Sequence, residues 1–289
     1  MKIGLTIAQP LNTINPMGII TLTTDFGLDD WFVGTMKGVI LSRAPRATIV
    51  DVTHGVPAGD ITAGAFALAA GCGCFPRRTV HVAVVDPGVG GARGAIAVQT
   101  ANYFFVGPDN GVLSLALARE KVKAIHRLTN KKFFLPKISR TFHGRDVFAP
   151  VAAALVTGVL IQHLGPAQRG FYKLDWPTPT RTDHGWRGEV VYVDRFGNAI
   201  TNLCAEHLAG RTGAHEIRAD RTSFGSPAKF YQTVPRGEPV TLIGSAGFLE
   251  LAVNDGSAAE KFGLRRGTGV AVKFEPPAGR RKHVTRRAA

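Results

Sequence analysis

The sequence predicts an α/β domain with a mainly parallel sheet, followed by a smaller all-β, barrel-like domain. Three observations carry that expectation. Segments of strand and helix character alternate up to about residue 165, as a layered α/β domain requires. One of them, Val80-His-Val-Ala-Val-Val85, is apolar almost throughout, the pattern of a strand buried on both faces of a parallel sheet. Beyond residue 187 the chain changes to short β-branched runs separated by turns, with no strong helix between them. At 289 residues, 45% hydrophobic and 19% charged, the chain can build two cores and is too apolar to be disordered.

Residues 1–16 read as an N-terminal extension, with Met17 as a candidate start. The α/β domain spans 17–168. Its first strand is Gly18–Thr23, closed by a Thr24-Asp-Phe-Gly27 turn. A helix from Trp31 to Ser42 stops at Ala44-Pro45, and Thr48–Val52 is a β-branched second strand. Asp60 caps an Ala-rich helix that runs to Ala70 and ends at Gly71. After the apolar strand at Val80–Val85, strands over 95–99 and 103–106 form a hairpin, followed by the turn Gly107-Pro-Asp-Asn-Gly111. Helices follow over Val112–Arg119 and Val147–Val159. Residues 169–187, rich in Gly, Pro, Thr and Trp, read as a linker. The β domain spans 188–276, with strands at Gly188–Val193, Ala214–Arg218, Pro239–Ile243, Leu249–Val253 and Gly269–Phe274. Residues 277–289 read as a basic, disordered tail.

The net charge of +14 and pI near 10.2 invite a nucleic-acid reading. Five of those charges, Arg280, Arg281, Lys282, Arg286 and Arg287, sit in the last ten residues, leaving +9 for the rest. No zinc-finger, helix-turn-helix or RNA-binding signature accompanies them, so no specific nucleic-acid partner is expected. No run approaches ~18 apolar residues, so no membrane span is expected. The first 16 residues lack the apolar core of a secretory signal. Cys72, Cys74 and Cys204 form neither a disulfide framework nor a metal-ligand spacing, which fits a reducing cytoplasm and no metal.

Candidate chemistry lies where strands end, since open α/β sheets bind ligands at the carboxyl ends of their strands. Asp25 follows the first strand, Asp86 the most apolar one, and Asn110 lies in a later turn. Each alone reads equally well as a cap or turn former. Asp86-Pro-Gly-Val-Gly-Gly-Ala-Arg93 lacks the third glycine and following helix of a dinucleotide loop and the Lys-Ser/Thr of a P-loop. It reads better as a tight loop returning Arg93 to Asp86, either functional or a bracing ion pair. Thr141-Phe-His-Gly-Arg-Asp146 sets His143 before a helix, with Arg145 and Asp146 read as either capping it or pairing locally. No G-x-S-x-G elbow supports serine-nucleophile chemistry. His54 and His81 read as packed, hydrogen-bonded residues. In the β domain, Asp194-Arg-Phe-Gly-Asn198 and Thr201-Asn202 read as a polar turn. Phe196 can stack on a ring and Asn198 can pair with a base edge, or the segment is a plain hairpin turn. Gly244-Ser-Ala-Gly-Phe-Leu-Glu250 and Asn254 have the same character.

Together these runs resemble the S-adenosylmethionine (SAM) hydroxide adenosyltransferase family, relatives of the SAM-dependent fluorinase and chlorinase. The matching runs are Thr24–Gly27, Val33-Gly-Thr-Met-Lys-Gly38, Asp51-Val-Thr-His54, Val84–Gly90, Gly107–Gly111, Thr141–Asp146, Val193–Asn198 and Gly244–Gly247. They keep the family's order over roughly residues 18–275. The resemblance implies an α/β domain joined to a β-barrel domain. It also implies a homotrimer with each site between one subunit's first domain and a neighbour's second, and hydrolysis of SAM to adenosine and methionine without a cofactor. By motif, Asp86, Arg93 and His143 match the set that handles the water, and Asp25 the carboxylate that grips the ribose diol. Asp194, Phe196, Asn198 and Ser245 match the second-domain side of the ligand site, with Tyr231 and Asn254 as further candidates. The fluorinase carries a tyrosine where Asp86 stands, a halide-binding serine where Gly144 stands, and an insertion for which Arg93–Gly107 leaves no room. The sequence therefore sides with the water users. A SAM-dependent halogenase and a non-catalytic SAM or adenosine sensor are the competing readings.

Overall fold

A computed structural model describes residues 18–209 and 215–274. The extension expected over 1–16 and the tail expected over 277–289 lie outside the described residues. The chain divides between Leu174 and Asp175 into two compact units.

The first unit is built on six strands: β1 (Ile19–Thr24), β2 (Thr48–Thr53), β3 (Val80–Val84), β4 (Ala95–Thr100), β5 (Phe104–Pro108) and β6 (Val122–Arg127). They lie in the order β2-β1-β3-β5-β4-β6. The β2-β1-β3-β5 pairings are parallel, while β4 runs antiparallel to β5 and β6. Every residue of β3 is buried, as its unbroken apolar run requires. Helices α1 (Phe32–Arg43) and, later in the chain, an Ala-rich helix over Ala149–Val156 pack on the face carrying Ile20, Leu22, Val82 and Val84. Helix α2 (Ile61–Gly71) packs with α3 (Ser114–Ala118), and its Gly64 abuts Val85. Asp60 caps α2 as expected, its carboxylate accepting the Ala63 N–H at 3.0 Å.

Three local expectations change. The helix expected over Val147–Val159 opens in a π-turn at Gly144–Phe148 and continues as α4 (Ala149–Val156). It stops early because the Thr157 hydroxyl bonds back to Ala153 O at 2.9 Å and Gly158 adopts φ +99°. The helix expected from Val112 starts only at Ser114, because the Gly111 turn (φ +102°) supplies the carbonyl for the Ser114 N–H. Strand β6, not anticipated, forms the sheet's edge.

The second unit is a nearly closed, antiparallel sheet of eight strands: β7 (Thr180–Thr182), β8 (Gly185–Val193), β9 (Ala199–Cys204), β10 (His215–Ala219), β11 (Thr222–Gly225), β12 (Pro239–Ile243), β13 (Phe248–Val253) and β14 (Gly269–Phe274). The order is β11-β10-β14-β8-β9-β13-β12, with β7 added beside β8. Ala228, just past β11, bridges to Leu242 and donates to Thr241 O at 2.7 Å, bringing the two ends of the order together. Val190, Leu203, Ile217, Leu249, Leu251 and Val272 fill the interior. Short helices α5 (Ala205–Leu208) and α6 (Ala258–Phe262) sit between strands. Strands β7, β9 and β11 were not expected. Thr201 and Asn202 belong to β9 rather than to a turn, and both are buried. Asn202 accepts the Glu189 N–H at 2.9 Å and donates to Pro177 O at 3.0 Å, so its amide satisfies backbone groups inside the sheet.

Candidate active site

In the first unit the carboxyl ends of β1 and β3 face a cavity of about 340 Å³ lined by Asp25, Phe26, Asp86, Thr141, His143 and Gly144, among others. Asp25 follows β1, and its Oδ2 accepts the Gly59 N–H at 2.8 Å. Asp86 lies just beyond β3, and the glycine loop after it returns Arg93 as the spacing implied. Arg93 Nε donates to Asp86 Oδ1 at 2.9 Å, and Nη2 pairs with Oδ2. The loop requires its glycines. Gly90 has φ +76°, and a Cβ there would fall 2.2 Å from Arg140 O. Arg93 also lies over the Phe148 ring, 5.6 Å from its centroid.

Arg93 joins the third member as well: its Nη2 lies 2.8 Å from His143 Nδ1. A guanidinium only donates, so Nδ1 must accept and the ring proton resides on Nε2. Burial, reinforced by the charge of Arg93, lowers the pKa of His143. The ring is therefore neutral near pH 7. Phe26, Phe32 and Phe142, in mutual contact at centroid distances of 5.1–5.8 Å, form an apolar wall beside these polar groups. Asn110 is placed differently. Its amide donates to Val85 O at 2.9 Å and accepts the Val112 N–H at 3.2 Å, bracing the end of the β3 segment against the turn.

In the second unit a cavity of about 1120 Å³ gathers Phe196, Asn198, Phe230, Tyr231, Asn254 and Ser257, with Arg236 and Asp255 also lining it. Asp194 organises the turn: its Oδ1 accepts the N–H groups of Phe196 and Asn198, each at 2.9 Å. Its Oδ2 accepts Asn198 Nδ2 at 2.9 Å. That turn leaves Phe196 76% exposed at the cavity, beside the 56%-exposed Phe230. Ser245 is exposed in the turn joining β12 to β13. Tyr231 donates to Glu250 Oε2 at 3.1 Å. Burial, then the Glu250 charge, pushes Tyr231 up to about 12. Burial raises Glu250 in turn, with the Asp194 charge adding to it. Phe230 and Glu250 were not among the expected site residues. A carboxylate inside the apolar run of β13 was the available signal for the second, since Glu is rarely buried without a purpose.

Residues 20–165 match the SAM hydroxide adenosyltransferase N-terminal domain, and residues 188–271 match the SAM hydroxide adenosyltransferase C-terminal domain. The chain belongs to the SAM hydroxide adenosyltransferase family. A relative from Salinispora arenicola (strain CNS-205), named (R)-S-adenosyl-L-methionine hydrolase, is 42% identical over 261 residues, covering 86% of this chain and 95% of the relative. A fluorinase from Actinoplanes sp. (strain N902-109) is 28% identical over 288 residues, covering 88% of this chain and 97% of the fluorinase. Among solved structures, an uncharacterized conserved protein from Thermotoga maritima superposes with a TM-score of 0.82 at 35% identity, covering 88% of this chain and 99% of that one. Among the described residues of this family member, no helix is long and apolar enough to cross a membrane, and no group of three or more His, Cys, Asp or Glu is placed to hold a metal ion.

Proposed function

We propose that this SAM hydroxide adenosyltransferase hydrolyses SAM to adenosine and methionine by attack of water on the ribose 5′ carbon. The observation that carries the reading is the Arg93 guanidinium joined at once to Asp86 and His143, in a chain whose hydrolase relative matches it nearly end to end. The same relative is named for the (R) form of SAM, and the reading extends to that form.

The electrophile is a carbon bonded to a sulfonium, so the leaving group departs as a neutral thioether and needs no acid. The difficulty lies in the nucleophile. Asp86 accepts a proton from the water while neutral His143 directs its Nε2–H at the water oxygen. The new O–C5′ bond forms as the C5′–S bond breaks, and its electron pair stays on sulfur. The water proton leaves through Asp86. Arg93 holds both partners in register and stabilises hydroxide-like charge, more strongly where the phenylalanine wall excludes solvent. No cofactor enters this scheme. Asp25 grips the ribose diol and aligns water, carbon and sulfur in line. Gly144 stands where the fluorinase carries a halide-binding serine, and a Cβ there would sit tightly, 3.1 Å from Met36 Sδ and 3.3 Å from the Phe142 ring.

The reading includes a cytoplasmic homotrimer in which the second unit of a neighbouring subunit completes each site. Phe196 and Asn198 then hold the adenine side, with Asp194, Ser245, Tyr231 and Asn254 around the rest of the ligand. Incubation of purified protein with SAM, followed by chromatography, tests the function. Equal amounts of adenosine and methionine support it. Binding without product supports the sensor instead, and a halogenated adenosine formed only with halide supports a halogenase.

A further inference from the structure

The Asp51-Val-Thr-His54 run lines neither cavity, yet its side chains lead towards one. His54 is 5% exposed, and its Nδ1 lies 2.8 Å from the hydroxyl of Thr24, the fully buried last residue of β1. The same Thr24 oxygen accepts the Phe26 N–H at 3.2 Å, closing a small turn around Asp25. In the tautomer that carries its proton on Nε2, Nδ1 accepts the Thr24 hydroxyl proton. Nε2 lies 3.1 Å from Asp51 Oδ1, an electrostatic contact without hydrogen-bond geometry, and Lys37 of α1 holds Asp51 Oδ2 at 2.6 Å. A chain of contacts thus runs from Lys37 through Asp51 and His54 to Thr24, beside the carboxylate at the cavity. Backbone bonds repeat the linkage: Gly27 N donates to His54 O at 2.9 Å and Val56 N to Thr24 O at 3.4 Å, while Gly59 N donates to the Asp25 carboxylate at 2.8 Å.

We propose that His54 is a positioning residue: backed by Asp51 and Lys37, it orients the Thr24 hydroxyl and thereby aims the Asp25 carboxylate at the ribose hydroxyls of the ligand. The inference rests on the reading of Asp25 as the ribose-diol ligand. Two carbonyl-to-amide bonds alone would join the loops. The side-chain relay adds control over the turn that sets the direction of Asp25, and an error of ~1 Å in a ligand-holding group is enough to weaken it severely.

The test is calorimetric binding of adenosine and of 2′,3′-dideoxyadenosine to the full chain, in wild type, His54→Leu and Thr24→Val. The wild type should bind adenosine more tightly than its dideoxy analogue. Both variants should weaken adenosine by about tenfold, the scale of one misaimed hydrogen bond to a charged group. Binding of the dideoxy analogue should stay within about twofold. Equal weakening of both ligands would mean a merely structural role, and unchanged affinities for both would mean none; either overturns the proposal. A wild type that does not distinguish the two nucleosides overturns the Asp25 assignment itself. Should His54→Leu fail to fold, Thr24→Val, which replaces a hydroxyl with a methyl of similar size, decides alone.

Discussion

Replacing Arg93 with methionine keeps most of the aliphatic stem and deletes the guanidinium. That group pairs with both oxygens of Asp86 and donates to His143. The side chains of Arg93 and Asp86 are 11% and 4% exposed. Removing one partner of a buried ion pair strands the other charge and costs about 3–5 kcal/mol. Asp86 lines a cavity that water can enter, so the lower end, about 3 kcal/mol, applies. Domains of this size are stable by about 5–15 kcal/mol, so the variant still folds. At about 2–4 °C per kcal/mol for 150–250 residues, the melting temperature of the first unit falls by about 6–12 °C. The double variant Asp86→Asn, Arg93→Met removes the stranded charge as well. It should be more stable than the sum of the two single losses implies, by about 2 kcal/mol. Differential scanning calorimetry of the four proteins reads this directly. A single-variant shift below about 2 °C, or strict additivity in the cycle, would refute the buried-pair argument.

Gly90→Ala should lower turnover about a hundredfold while leaving the circular dichroism spectrum unchanged. The added Cβ would collide with Arg140 O and displace the loop that carries Asp86 and Arg93; wild-type rates would contradict this. His81 is fully buried, stacks on Phe105 and is lowered to about 4 by burial. Its folded pKa lies below the unfolded value of 6.5, so on acidification the unfolded chain takes the proton first. Stability is complete above pH 6.5 and declines as pH falls from 6.5 towards 4, by about 3 kcal/mol for this gap. The lowered pKa of His143 acts in the same direction. Urea denaturation at pH 7.5 and 4.5 should show that loss, and His81→Leu should flatten the profile; parallel profiles would count against it.

How much of this was legible in the sequence depended on whether the determining contacts are local. The β3 run, the Asp60 cap and the Asp86–Arg93 loop were readable because burial on both faces, a cap and a glycine turn each act within a few residues. Strand β9 was not. Thr201 and Asn202 have turn composition, and only partners far along the chain, Glu189 and Pro177, show that the Asn202 amide serves the sheet. Strand β6 carries Lys123 and Arg127 at an edge, which masks its alternation. Asn110 looked like a ligand residue because Asn in a turn at a strand end fits either purpose. In the folded chain its amide donates to Val85 O and accepts from Val112 N–H, contacts that a turn at a strand end makes without any signal in the sequence. The aromatic wall of Phe26, Phe32 and Phe142 joins three separate segments, so no window of sequence contains it. The tie between Arg93 and His143 spans 50 residues, so no local pattern joins them and only the family resemblance had set them together.

The central claim is that water attacks the ribose 5′ carbon. Turnover of SAM in water enriched with oxygen-18, with products resolved by mass spectrometry, tests it most directly. The account predicts one oxygen-18 in the 5′-hydroxyl of adenosine and none in methionine. Unlabelled adenosine, label in the amino-acid product, or release of free adenine would contradict it.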